Sequence, residues 1–506
     1  MPLLMGIDAG TTSVKAALFS PDHQMLAVAR QEYTLDSPSP ERAQLDPEIY
    51  WRACTQAVRQ VITRAAANPQ DIAALGVSSQ GETTIPLDRL GKPLYPAIVW
   101  LDNRAVSQAI SLAAQFGQEL YDRTGIPEII PTWTACKILW LKENEPQVFA
   151  AVQKYMLVQD YLVFRMTGQA VTDGSISCTT ALYDIRRHAW WPEMLAAVGI
   201  QASQLCDIVP PGTSVGTLSA EAARTLGLGR QVQIVCGGMD QATGAIGAGN
   251  TTPGVISETT GAALVIQATI DDPGMDQRKI IPVYCHSVPD KYLLAPVCPT
   301  AGMALKWLRD TFFQAEMKIA EREGWDAYDL MTTLAAEIPP GSDGLIMLPH
   351  LMGAFSPVPN PQARGVFAGF SLSHGRGHFV RAVLEGIAYL LRQNLETIAN
   401  AGMPVLGLCS TGGGARSPLW NQIKADVCKL PLATVENEEA ALLGDAILAG
   451  VATGIYKSID EGCKALVHFS GNILPGDQSG FYEAAYRSFC DLDETLTPYF
   501  QRNYAA

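Results

Sequence analysis

Residues 4–19, LMGIDAGTTSVKAALF, constrain the fold more than any other stretch of this chain. The apolar Leu4, Met5 and Ile7 run into Asp8, Gly10, Thr11, Thr12 and Ser13 follow, and Val14, Ala16, Ala17, Leu18 and Phe19 resume the apolar pattern. Two strand-like runs around a glycine- and hydroxyl-rich tip signal a β-hairpin. The same design recurs in GVISETTGAALVIQA, residues 254–268. Two such hairpins imply two halves of similar design. At 506 residues the chain is in any case too long for one ordinary core. What needs a reason is a carboxylate and several hydroxyls at the tip of a buried hairpin.

Between the hairpins, residues 1–35 read as a strand meander with a turn at SPDHQ (20–24), and 47–67 as an amphipathic helix with Pro47 near its start. IAALGVSSQ (72–80) is a buried strand ending in small polar residues, and AIVWLDNR (97–104) a strand running into a charged loop. Helical patterns dominate 105–168. VQIVC (232–236) is a strand that breaks into GGMDQATGAIGAG, and small residues at Gly247 to Thr251 mark a hinge between the halves. In 378–399, Val380, Leu384, Ile387, Leu391, Leu395 and Ile398 form one helical stripe. Residues 405–427 read as strand, glycine-rich turn and helix, a geometry that offers backbone N–H groups to an anion. The mixture is α/β.

A formal charge of −14 argues against a nucleic-acid binder, whose affinity comes mostly from neutralising phosphates, but does not exclude a small nucleotide substrate. Eleven cysteines without a C-x-x-C pair read as reduced thiols of a cytoplasmic protein, with Cys236 a small core residue. The first apolar run ends at Asp8 without a basic segment, so no signal peptide is expected, and no apolar run is long enough to span a membrane.

Four groups of residues could carry chemistry. At the first tip, hydroxyls and glycine amides can surround phosphate oxygens while Asp8 faces a metal ion or its waters; the plainer reading is an ordinary turn. ETTGA (258–262) could hold a polyphosphate from the other side. In GGMDQA (237–242), an Asp directly after a buried strand and two glycines can take a proton from an attacking hydroxyl, or simply cap the next helix. TGGGA (411–415) removes side chains that would keep a ring or ribose off the backbone. Gln80, Glu82, Asp102 and Arg104 end neighbouring strands and suit a hydroxyl-rich ligand, with Trp100 or Trp133 as an apolar wall; as solvated loop charges they would be unremarkable. GAIGAG lacks the order of a dinucleotide turn, and no G-x-x-x-x-G-K-[ST] loop occurs, so Rossmann and P-loop assignments fail.

In this order the motifs resemble the FGGY carbohydrate kinases, the group that holds xylulose, glycerol, gluconate and ribulose kinases. The match runs from GIDAGTTSVKAALF to EAALLGDAILAG (439–450). It is most specific in GVFAGFSLSHGRGHFVRAVLEG (365–386), where only Phe370 departs from the family pattern. The resemblance implies two actin-like (ribonuclease H-like) α/β domains around a deep cleft. Residues 1–249 would bind sugar and carry the first phosphate motif, and 250–506 would bind nucleotide. It implies ATP and Mg²⁺, a sugar or polyol substrate, no nucleic acid and no membrane, and it leaves a homodimer open. Asp8, Gly10, Thr11, Thr12, Ser13 and Lys15 match the first phosphate motif, and Thr259, Thr260 and Gly261 the second. Gly302 and Lys306 match a nucleotide contact, and Gly413, Gly414 and Ala415 the turn beneath the adenosine. Asp240 matches the catalytic base, Asp8 and Asp240 the metal side, and Gln241 a sugar contact.

The sugar end is QGET (80–83). Xylulose kinases tend to show Gln-Met-His-Gly there and glycerol kinases Gln-Arg-Glu-Thr, so Glu82 and Thr83 fit the second pattern and Gly81 fits neither. Glycine in place of a multi-donor Arg deletes donors and is expected to open space for a longer substrate. D-xylulose is the first expectation. Ribulose, glycerol, erythritol or gluconate are the alternatives within the family, and a non-catalytic actin-like ATPase or sugar sensor the alternatives outside it.

Overall fold

The computed structural model describes residues 2–22 and 25–504. Among these, the opening meander is three antiparallel strands, β1 (Leu3–Ala9), β2 (Ser13–Phe19) and β3 (Met25–Glu32). His23 and Gln24 of the expected turn lie outside the described residues. Helix α1 (Pro47–Arg64) follows, begun by Asp46, whose carboxylate accepts the Glu48 amide, and by Pro47, whose fixed φ suits the first turn. Next come β4 (Ile72–Ser79), α2 (Thr134–Asn144), β5 (Ser214–Thr217), β6 (Gln233–Met239) and α3 (Asp240–Gly247). The first sheet has the order β5-β6-β4-β1-β2-β3, with β4 parallel to both β1 and β6. Its central strands are apolar on both faces, as strands covered on both sides must be.

The second half repeats this plan. Its strands are β7 (Val255–Thr260), β8 (Leu264–Ile270), β9 (Val283–Cys285), β10 (Tyr292–Leu294) and β11 (Val297–Cys298). After α4 (Gly302–Phe312) and α5 (Arg376–Asn400) come β12 (Gly407–Thr411), α6 (Pro418–Cys428), β13 (Leu432–Val435), α7 (Ala440–Ala452) and β14 (Phe469–Ile473). The sheet order is β9-β10-β8-β7-β12-β13-β14, with β11 also on β8. In each sheet an antiparallel hairpin (β1–β2, β7–β8) lies beside two further strands parallel to its first. All six stripe residues of α5 are buried.

Three readings of local structure are corrected. The strand expected to stop at Cys236 runs to Met239, because a bulge absorbs the glycines: Cys236 faces Val77 and Gly238 faces Ser78, leaving Gly237 as the extra residue. The strand at 97–104 is only Ala97–Ile98. The helical stretch 105–168 is interrupted by Lys154–Met156, which pairs with Ile85–Leu87.

The halves meet through α7, which comes from the second half yet lies on the first sheet. A Cβ on Gly6 would collide with the Leu442 carbonyl, and one on Gly76 with the carbonyl of Asp445. Helix α3 crosses α7 equally closely: a Cβ on Gly247 would strike the Ala440 carbonyl, and one on Gly444 that of Thr243. Leu4, Phe19, Val235, Leu442, Leu443 and Ile447 share one buried cluster here. The eleven cysteines are free, and among the described residues no helix is long and apolar enough to cross a membrane.

Candidate active site

The opening hairpin puts Asp8 next to the last residue of β1, between Lys15 on β2 and Ser78 on β4. That is the carboxyl end of the parallel strands, where open α/β sheets bind ligands. The tip is closed by the Gly10 amide donating to Ser13 O at 3.0 Å, and Tyr33 Oη donates to Gly10 O at 2.5 Å. Ser13 is buried and Thr12 exposed. Trp100 Nε1 donates to Thr11 Oγ1 at 2.8 Å, tying the loop after Ile98 to the tip. Lys15 Nζ reaches Glu439 Oε2 of the second half at 2.5 Å. Asp8 Oδ1 is buried with no hydrogen-bond partner. Burial pushes the Asp8 carboxyl up to about 6, Glu439 adding to the shift and Lys15 opposing it.

Asp240 begins α3 directly after the bulged strand, and its Oδ1 accepts the Gln241 amide at 2.7 Å. Burial pushes its carboxyl to about 8, with Asp8 and Glu82 raising it and the Gln241 amide opposing. Residues 8, 82 and 240 thus stand at or just past the ends of three neighbouring parallel strands. Glu82 sits in the left-handed region at φ 63°. Its backbone is held by Lys137 Nζ (3.0 Å), Thr134 Oγ1 (3.1 Å) and Thr84 Oγ1 (3.2 Å) donating to the carbonyl, while its N–H donates to Thr179 Oγ1 at 3.1 Å. Burial lifts the Glu82 carboxyl to about 7 against the pull of Lys137, and burial lowers the fully buried Lys137 to about 8. Gln80 donates from Nε2 to Tyr50 Oη at 3.0 Å, while its buried Oε1 has no partner. Gln241 is half-buried, its carbonyl taken by Gln267 Nε2 at 2.5 Å.

Several expectations change. Gly81 does not enlarge a pocket: a Cβ there would lie 2.7 Å from Thr179 Oγ1 and 2.9 Å from Thr179 Cγ2, so Thr179 already fills the space. Asp102 is not free to meet a sugar. Its oxygens accept Arg104 Nη2 (2.7 Å), Arg104 Nε (2.8 Å) and the Arg104 and Ala43 amides, and both side chains are buried. Trp133 is a core residue whose Nε1 donates to Glu128 O at 2.9 Å. Lys306 is exposed and paired with Asp310 at 2.6 Å.

The second tip is built from Thr259 to Gly261, the start of α4 and the turn after β12. Gly302 N donates to Gly261 O at 2.9 Å, and a Cβ on Gly414 would lie 2.5 Å from Thr260 Cγ2. Gly413 is exposed with open space above it, and Ala415 is half-buried. The Thr260 hydroxyl is turned inward, against expectation, donating to Glu258 Oε2 at 2.7 Å and accepting from Lys424 Nζ at 2.9 Å. The Glu258–Lys424 pair beneath it is fully buried at 2.6 Å. Thr259 Oγ1 lies 2.7 Å from Thr411 Oγ1.

Lys137, Thr179 and Lys424 were missed by sequence reasoning. Only Lys137 carried a signal, a lone charge in the apolar run 134–141.

The convergence of acids has a measurable consequence. In the folded chain Asp8, Glu82 and Asp240 hold protons to about 6, 7 and 8, against ordinary values of 3.8, 4.5 and 3.8. The folded state therefore binds more protons than the unfolded state across this window. Stability is full below the ordinary carboxylate values and is lost as pH rises through 6 to 8. Lys137 acts in the opposite sense, and only above pH 8. The melting temperature of the ligand-free protein should fall from about pH 5 to about pH 8, and Asp240→Asn should flatten the slope. A flat or rising profile for the parent in scanning fluorimetry would disprove the coupling.

Known proteins match the chain along both of its halves. Residues 3–247 match the FGGY family of carbohydrate kinases, N-terminal domain, and residues 267–453 its C-terminal domain. A gluconokinase of Bacillus subtilis is 32% identical over 465 residues, covering 90% of this chain and 89% of that protein. A xylulose kinase of the same organism is 30% identical over 496 residues, covering 98% and 97%. The ligand-bound xylulose kinase structure from Lactobacillus acidophilus superposes with a TM-score of 0.90 at 25% identity, covering 99% of this chain and 100% of that one. With both of its domains matched along one chain, the protein belongs to the FGGY family of carbohydrate kinases, two actin-like ATPase domains in one α/β chain.

Proposed function

We propose that the chain transfers the terminal phosphoryl group of ATP to a hydroxyl of a small sugar, with D-xylulose to D-xylulose 5-phosphate as the first reading. Residues 1–249 form the sugar-binding unit and 250–506 the nucleotide-binding one. The observation that carries the reading is that Asp8, Glu82 and Asp240 stand at or just past the carboxyl ends of three neighbouring parallel strands, β1, β4 and β6. Asp240, in its deprotonated form, accepts the proton of the sugar hydroxyl as that hydroxyl's oxygen bonds to phosphorus and the bond to ADP breaks. Glu82 and Gln80 bind sugar hydroxyls, with Gln241 beside the base. The tip at Gly10 to Ser13 offers amides and hydroxyls to phosphate oxygens, and the tip at Thr259 to Gly261 its backbone amides, the Thr260 hydroxyl being held inward by Glu258 and Lys424. Among the described residues no three His, Cys, Asp or Glu side chains form a metal cage. Mg²⁺ needs no such cage, since it takes one or two carboxylates and fills its shell with phosphate oxygens and water. The partnerless buried Asp8 Oδ1 fits such a role, with Asp240 beside it; when bound, the ion neutralises phosphate charge.

Gluconate is the second reading, favoured by the likeness to a gluconokinase. Against it, an aldonate carboxylate would have to stay clear of Glu82, whereas a ketose carries no charge to repel. A coupled ADP-release screen over D-xylulose, gluconate, D-ribulose, L-ribulose, erythritol and glycerol decides between them. Substrates with fewer hydroxyl contacts should lose turnover as well as affinity, so glycerol should rank last. Gly81→Arg should lower kcat/KM on every substrate by on the order of 10²-fold, because it displaces the Thr179 that holds Glu82. A variant that gains on glycerol would restore the open-pocket idea. Activity on none of the six would remove both sugar assignments.

A further inference from the structure

The strand end that carries Asp240 is pinned from behind by side chains that touch neither tip. Gly238, at φ 132°, has no room for a side chain: Ser175 Oγ would collide with a Cβ there, and Ser287 Oγ would lie 2.5 Å from it. The next amide, Met239 N–H, donates to Ser175 Oγ at 3.0 Å. Ser175 Oγ in turn donates to Asp173 Oδ1 at 2.5 Å and accepts from Ser287 Oγ at 3.3 Å. One donor and two lone pairs are all a hydroxyl has, so this one is fully used. Asp173 is equally occupied. Its Oδ1 also accepts the Ser175 amide at 2.7 Å, and its Oδ2 accepts Gln159 Nε2 at 2.9 Å and the Cys236 thiol at 3.7 Å.

Asp173, Ser175, Gln159 and Ser287 are all fully buried. A buried carboxylate is expensive unless every acceptor site is met, and here four donors meet it. Two of those donors flank the bulge that aims Asp240, the Cys236 thiol directly on β6 and the Ser175 hydroxyl through the Met239 amide. A bulge that re-aims a strand end needs its extra residue held in one arrangement, and apolar packing alone cannot specify the direction of an amide.

We propose that Asp173 and Ser175 are positioning residues that fix the aim of Asp240 through the Met239 amide; this rests on reading Asp240 as the general base. Both are fully buried, so substrate binding should not depend on them, whereas proton acceptance should. Ser175→Ala should therefore lower kcat by about ten- to a hundredfold, with KM for ATP and for sugar within about threefold of the parent. Asp173→Asn keeps the shape but sets an amide against Gln159 Nε2, and should show the same split.

Steady-state kinetics and melting temperature are measured for Ser175→Ala, Asp173→Asn and Asp240→Asn alongside the parent. Should Ser175→Ala fail to accumulate as folded protein, Asp173→Asn is judged by the same criterion. A fall in kcat at steady KM supports the positioning role. Full kcat with a lowered melting temperature, or loss of kcat with both KM values raised in proportion, marks a merely structural network and overturns it. Asp240→Asn separates the two layers. If it turns over like the parent, the base assignment fails and the proposal with it. If it is inactive while Ser175→Ala is normal, only the positioning role fails.

Discussion

Asp240→Asn is expected to turn over about 10² to 10⁴-fold more slowly than the parent, the usual worth of a positioned acid or base. The amide keeps the side chain's shape and its acceptor for the Gln241 amide, so α3 should start in the same place and nucleotide affinity should stay close to parental. What it loses is the ability to take a proton. The variant also removes one of three acids that repel one another, so its ligand-free form should be the more stable at pH 8. Slow turnover in a stabilised protein is a combination that simple unfolding does not produce. Turnover within about threefold of the parent would show that the proton goes elsewhere, since even a weak acid–base contribution is larger.

Asp8→Ala should be the other severe variant, reduced by about 10² to 10³-fold in kcat, the range for deleting one group that stabilises transition-state charge. Its Oδ1 is buried without a hydrogen-bond partner, so the fold loses no hydrogen bond there when it is removed. The variant should fold, bind sugar nearly as the parent does, and lose its response to added Mg²⁺. Lys15 would keep Glu439 as its counter-ion, so the contact between halves should survive. Parental activity, or loss of sugar binding in parallel with activity, would remove Asp8 from the phosphate side.

Both hairpins and the stripe of α5 could be read from the chain because their periodicities of two and 3.6 are local. The place of Asp240 could be read for a similar reason: a carboxylate after a buried strand and two glycines falls at the strand end, where the next helix begins. The details that failed depend on partners distant in sequence. Gly237 and Gly238 look like a strand terminator until Ser175 and Ser287 are seen packed against the bulge. Thr259 and Thr260 are neighbours on one strand and must face opposite ways, yet nothing local says which faces the cleft; Lys424, 164 residues later, turns Thr260 inward. Gly81 looks like vacant space until Thr179 occupies it. Asp102 looks like a strand-end ligand until Arg104 and the Ala43 amide claim its oxygens.

The seat of α7 on the first sheet bears on whether the halves can exist apart. Gly6 and Gly76 are notches on neighbouring strands that admit the backbone of a helix supplied from beyond residue 439. A fragment ending at the chain's midpoint would leave those notches and the flanking Leu4, Phe19 and Val235 bare to water, an apolar strip on an otherwise finished sheet. The division visible along the sequence is thus not a line of severance. Each half completes the other's surface, and a substitution that fills one notch acts as a wedge between them, felt at the cleft although it lies outside it.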